Sequence, residues 1–119
     1  MEYELTRLER ASCPYLILRG NIRSKDLELL VSLLSKNVID QNENRILIET
    51  IEAKADLSEL EIVNFLRNFP PKLRALKIAV VVKVQKTQKA RLYESIVYSN
   101  GFPVRFFIDR EKAVTYLLS

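Results

Sequence analysis

With no histidine among its 119 residues, this chain must draw any chemistry from carboxylates, lysines, hydroxyls and a single thiol. The absence removes the commonest general base, the usual Ser–His and Cys–His pairs and the commonest zinc ligand. Cys13, in A-S-C-P, has no imidazole to take its proton, so a catalytic thiolate is not expected there. The carboxylate pairs Glu59/Glu61 and Glu2/Glu4 read as surface charge. What remains is one polar loop, one basic cluster and one apolar stripe.

The loop is T-I-E-A-K-A-D-L-S-E, with Glu52, Lys54, Asp56 and Ser58. A serine just ahead of a helix can be phosphorylated where free N–H groups and the helix dipole favour an anion. The same residues match two overlapping capping boxes, Asp56 with Glu59 and Ser58 with Glu61. Capping alone explains both residue types and both spacings. The basic cluster is Lys83, Lys86, Lys89 and Arg91, at a strand end and helix start, where Lys83 and Lys86 are candidates for binding an anion. Neither glycine, Gly20 or Gly101, sits in a phosphate-cradling motif, so a solvated basic face is the competing reading. The stripe is Ile62, Phe65 and Phe69, a second apolar row beside Leu60, Val63 and Leu66 on the same helix. Either it serves a partner, a dimer or an apolar ligand, or the helix packs deeply enough to bury both rows.

These residues are placed by a legible series of elements. Tyr3–Leu8 alternates loosely, as a half-exposed edge strand does, and Tyr15–Arg19 is a second strand closed by Gly20-Asn21. Ser24 reads as the N-cap of a helix over Lys25–Val38, with Leu27, Leu30, Val31, Leu34 and Val38 on its apolar face. Arg45–Ile51 is a third strand, followed by a loop over Glu52–Ala55 and a helix running to about Asn68, ahead of Pro70-Pro71. Lys77–Lys83, K-I-A-V-V-V-K, is an unbroken apolar run rich in β-branched residues. It fits a central strand covered on both faces. A helix from about Thr87 to Asn100 ends at Gly101, suited to a left-handed C′ position. Val104–Ile108 is the last strand, and Asp109 caps a final helix offering Ala113, Val114, Leu117 and Leu118 to the core. The order ββαβαβαβα predicts an α/β fold: one mixed, mostly parallel five-stranded sheet with four helices.

Composition sets the class. A hydrophobic fraction of 48% beside 29% charged residues belongs to one globular domain able to bury a core. The net charge of +4 is too mild to argue for nucleic acid, and no helix interleaves basic runs with exposed aromatics. No apolar run approaches the roughly 20 residues of a membrane span, and no secretory signal is read at the N-terminus. A lone cysteine suits a reducing, cytoplasmic setting.

Three local patterns stand out: L-I-L-R-G-N-I (Leu16–Ile22), I-L-I-E-T (Ile46–Thr50) and the ending Ala90–Leu117. Together they resemble the STAS-like superfamily founded on bacterial anti-sigma-factor antagonists of the SpoIIAA type. The closest likeness is to its small stand-alone branch, sometimes grouped with CRAL-TRIO domains. The ending is similar to the family's G-x-x-V-R-x-F-x-D-x-x-x-A-x-x-W-L, matched at Gly101, Val104, Arg105, Phe107, Asp109, Ala113 and Leu117, with Tyr116 in place of the tryptophan. The resemblance covers nearly the whole chain and implies a single STAS-like domain over residues 1–119. In the antagonists the loop before helix two carries D-S-S/T-G, whose first serine a partner kinase phosphorylates. Asp56-Leu57-Ser58-Glu59 stands there in this chain, so Ser58 is the position where such a switch would have to act.

The expectation is a non-enzymatic, regulatory module without a cofactor or metal. It would act by protein contact through the loop after strand three and helix two (Asp56, Ser58, Ile62, Phe65, Phe69), with another protein or with a second copy. The alternative is a carrier or sensor of a small apolar or anionic ligand, seated between helix two and the loop after strand four, with Lys83 and Lys86 near its polar end.

Overall fold

In the computed structural model, which describes residues 1–119, the five strands lie in the sheet in the order in which they occur in the chain. They are β1 (Glu2–Leu8), β2 (Cys13–Ile22), β3 (Arg45–Ala55), β4 (Lys77–Val81) and β5 (Val104–Phe107). The helices are α1 (Asp26–Leu34), α2 (Glu59–Arg67), α3 (Thr87–Ser99) and α4 (Arg110–Leu118). β1 pairs antiparallel with β2 and every other pairing is parallel, so the mixed ββαβαβαβα sheet expected from the sequence is present.

Sequential strand order decides where the helices go. Each right-handed crossover steps one strand further in the same direction, which puts α1, α2 and α3 on one face of the sheet. Leu34, Ile62, Leu66 and Ile96 from those helices accordingly share a core with Leu16, Ile46, Ile48, Ile78 and Val80. Only α4, following the last strand, reaches the other face, where Ala113, Val114 and Leu117 bury Leu47, Ala79 and Val81. β4 thus needs apolar residues on both sides, which is why its sequence shows no alternation. It is an interior strand, but the middle of the sheet is β3, and β4 ends at Val81 rather than Lys83.

The ends of β2 and β3 and both ends of α1 differ from the sequence reading, each for a local reason. Gly20-Asn21 does not close β2. The strand shifts register between Ile17 and Arg19, Gly20 adopts φ +80°, and Gly20–Ile22 go on to pair with Ala53–Ala55. Glu52–Ala55, expected as loop, are therefore the end of β3, each extension supplying the other's hydrogen-bond partners. Ser24 does not cap α1: the Asp26 carboxylate turns back to accept from the Arg23 N–H at 2.8 Å. The expected helix to Val38 passes into a π-helical turn over Ser35–Ile39, which still buries Val38.

The ends of α2, α3 and α4 follow expectation. α2 stops ahead of Pro70-Pro71. After α3, Gly101 at φ +86° lets its own N–H reach the Tyr98 carbonyl and that of Phe102 reach Val97, a Schellman closure. The Asp109 side chain caps α4 through the Glu111 N–H at 2.8 Å, while Leu118 stays exposed rather than joining the core.

Candidate functional site

The site arises because β3 outruns β4. β4 pairs with β3 only along Arg45–Glu49, and its chain turns away after Val81, while β3 continues beside β2 to Ala55. At the parting, the Thr50 hydroxyl donates to the Val81 carbonyl at 3.0 Å. Beyond it the wedge between the diverging strands is not filled by a strand, and a cavity of about 200 Å³ remains. Leu18, Ile48 and Val80 line it from the sheet, Leu27 and Leu30 from α1, and Ala90 and Tyr93 from α3. Of its 17 lining residues 13 are hydrophobic; the other four are Thr50, Lys83, Lys86 and Lys89, so no carboxylate faces it. Lys83 is the exposed member of the lining, which marks where the cavity opens.

The lysines do the bridging that β4 does not. Backbone carbonyls two residues apart on a strand face the same edge, and those of Ala53 and Ala55 lie beyond β4's reach. Lys86 Nζ donates to the Ala53 carbonyl at 3.3 Å, and Lys89 Nζ donates to that of Ala55. Lys89 also lies 3.4 Å from Asp56 Oδ1 and 5.7 Å from the Tyr93 ring centre. Both lysines are half-buried residues, at the margin between the apolar lining and solvent.

Sequence reasoning singled out Lys83 and Lys86 and included Lys89 in the cluster, but missed Tyr93 and Leu57 as parts of a site. The signal was there: Lys86, Lys89, Ala90 and Tyr93 fall at the i, i+3, i+4, i+7 positions of one helix face. The ligand seat also moves. α2 contributes no lining residue, and the cavity lies between the sheet, α1 and α3.

Asp56 and Ser58 sit just past the end of β3. The Ser58 hydroxyl accepts from the Glu61 N–H, and the Glu61 carboxylate accepts from the Ser58 N–H, both at 3.1 Å. This is the Ser58/Glu61 capping box, and the bonds from Ser58, the backbone one foremost, hold the Glu61 carboxyl below its ordinary range. The Asp56/Glu59 box does not form; the Asp56 side chain is 91% exposed beside Lys89.

The apolar stripe is mostly core. Ile62 and Phe69 are buried, Phe65 half-buried, and Phe69 packs edge-on between Phe65 (5.2 Å between ring centres) and Phe102 (4.8 Å). Ile62 and Phe69 therefore offer nothing to a partner from within the folded chain, a correction to the expected contact surface. Their burial follows from α2 lying on the three-helix face, with Phe102 folded beneath it by the turn at Gly101. Phe65 keeps one side open, in a groove between α1 and α2. Leu60, read with the inner row, is 68% exposed instead.

Elsewhere the reactive groups are spoken for. Under α4, Cys13 is fully buried and its thiol is pushed up by that burial. On the same face the Tyr15 hydroxyl donates to Glu49, whose carboxylate also takes Arg110. No three histidine, cysteine, aspartate or glutamate side chains cluster in a way that could hold a metal, and no helix is long and apolar enough to cross a membrane.

No protein-family model matches the chain, and no curated protein matches it. Among solved structures, it is similar to an uncharacterised protein of the DUF3478 family with a SpoIIAA-like fold from Shewanella loihica PV-4. The two superpose with a TM-score of 0.60 over 98% of this chain and 92% of the other, at 16% identity. The chain thus has the SpoIIAA-like fold expected from its sequence. A likeness at that identity speaks for the fold alone, and function has to be argued from the site.

Proposed function

We propose that this protein is a binding module that carries or senses a small, largely apolar molecule in the cavity between β2, β3, α1 and α3. One observation carries the reading: an apolar cavity opens at the carboxyl ends of parallel strands, where α/β sheets hold their ligands. Its volume sets the scale. An apolar protein cavity of about 150 Å³ takes up benzene, so about 200 Å³ holds a single ring or a short chain rather than a long-chain lipid. The chain's lack of histidine favours binding over catalysis.

A contact role for the loop after β3 is the second reading, supported by Asp56, Ser58 and Leu60, exposed together at the start of α2. It uses a smaller surface than the sequence suggested, without Ile62 and Phe69. If it holds, Leu60→Asp abolishes partner capture while leaving the fold intact.

Native mass spectrometry of the freshly purified protein tests the carrier reading, together with methyl NMR during titration with benzene. An added mass lost on activation, or benzene shifts confined to cavity methyls such as those of Leu18, Ile22 and Leu57, supports it. Ala90→Leu, which fills the cavity, removes either signal. A bare chain mass together with cavity methyls that do not respond to benzene overturns it.

A further inference from the structure

We infer that the ligand of this cavity is an amphipathic carboxylate, its apolar body among the sheet and helix side chains and its head between Lys86 and Lys89. The inference rests on the proposed binding function and adds the chemical class of what is bound.

Charge at the opening carries the argument. Three of the four polar lining residues are lysines, and no acidic side chain lines the cavity. The first turn of α3 holds no acidic residue either, so the neighbouring counter-charge is Asp56, drawn toward Lys89 from a side chain 91% exposed. Cations at the margin of an apolar space favour an anionic head over a neutral one, because solvent screens them less there than on an open surface while salt can still reach them. A neutral ligand would leave Lys83 and Lys86 without a counter-charge, Asp56 answering only Lys89.

Geometry makes the head specific. The carbonyl bonds to Ala53 and Ala55 use one N–H of each ammonium group and fix where it stands, leaving further donors on each. Their anchoring carbonyls are two residues apart on one strand, roughly 6.6 Å. A carboxylate accepts a charge-assisted bond of roughly 2.8 Å on each oxygen, so one head group can bridge the pair. Lys83, exposed at the opening, adds attraction without a fixed anchor.

The cavity's size limits the body. Hexanoate or benzoate fits a space of about 200 Å³, whereas a dodecyl chain must leave much of its length in water.

The experiment titrates the full chain with hexanoate and benzoate, and with hexanol and benzyl alcohol as neutral counterparts, followed by methyl NMR. The expected result is that each carboxylate binds at least tenfold tighter than its alcohol at the cavity methyls, with a preference that shrinks in high salt. In the double variant Lys86→Gln, Lys89→Gln, the preference disappears while alcohol binding persists. Should that variant fail to fold, the salt dependence in the unaltered chain decides. Equal binding of acid and alcohol overturns the carboxylate class and leaves the carrier reading standing. Failure of all four probes to move the cavity methyls overturns both.

Discussion

The Tyr93 hydroxyl accepts from the Leu57 N–H at 3.1 Å and donates to the Leu57 carbonyl at 3.2 Å, so one side chain of α3 holds both polar groups of a single residue outside the sheet. Leu57 stands between the last residue that β3 pairs and the Ser58 cap of α2. A tyrosine in the cavity wall thereby fixes the loop that links the cavity to the second helix.

Tyr93→Phe keeps the ring and removes both bonds. A net hydrogen bond is worth about 0.5–1.5 kcal/mol, so the variant should lose about 1–2 kcal/mol in urea unfolding. The amide of Leu57 should exchange with solvent much faster, while amides of β4 keep their protection. Unchanged exchange at Leu57 would mean that packing alone holds the loop.

Burial of the α2 stripe gives a sharp contrast between two residues of one helix and its end. Phe69 lies in the core with Phe102 edge-on to it, and truncating a buried phenylalanine costs about 3–5 kcal/mol. Leu60, 68% exposed, should tolerate alanine within about 0.5 kcal/mol. Chemical denaturation of Phe69→Ala and Leu60→Ala measures both. A mild Phe69→Ala would reopen the stripe as a surface.

That contrast also shows what was legible in the sequence. β4 and α3 could be read because their patterns answer to local physics: an unbroken apolar run for a two-sided strand, and helical spacing ended by glycine. The fate of Phe69 could not, because it depends on α1, α2 and α3 all crossing the same face and on Phe102, 33 positions along the sequence. The extension of β2 and β3 was hidden for a similar reason. Gly20-Asn21 and Glu52–Ala55 each look like loop alone and become strand only by pairing with each other. The cavity follows from that pairing, since β3 outruns β4 only if its last residues are strand. Its lysines were visible as a cluster, but their attachment to Ala53 and Ala55 needed the strand that the sequence did not reveal.

At acid pH, two carboxylates set the direction of change. Glu61 is held below its ordinary value of 4.5 chiefly by hydrogen bonding to Ser58, and Glu111 chiefly by its bond with Arg10. A group with a depressed folded-state pKa stabilises the fold above its unfolded value, and that contribution is lost as pH falls through the folded value. Stability should therefore be flat in this respect above about pH 5 and decline below 4.5. Glu61→Gln, which keeps an acceptor for the Ser58 N–H, should flatten the decline when urea midpoints are compared across pH 3–7. An identical decline in the variant would assign the acid sensitivity to other groups.

At the alkaline end, Tyr15 should be the informative residue. Burial first, and then its hydrogen bond to Glu49, push its hydroxyl up to about 12, against an ordinary value of 10.0. The nearby Arg110 opposes this but is itself engaged with Glu49. Between those two values the unfolded chain gives up the proton and the folded chain keeps it, so this residue's contribution to stability is complete below pH 10.0 and is lost as pH rises toward 12. Absorbance titration at 295 nm should show a late component above the ordinary tyrosine range that shrinks in Tyr15→Phe, the remainder coming from Tyr116, which burial also pushes up. Glu49→Gln removes the negative charge that opposes the phenolate and should bring that component down toward the ordinary value without abolishing it, because burial remains. Should the late component be the same size in Tyr15→Phe as in the unaltered protein, the Tyr15–Glu49 bond does not persist in solution, and the face of the sheet beside α4 is more open to water than its hydrogen bonds imply.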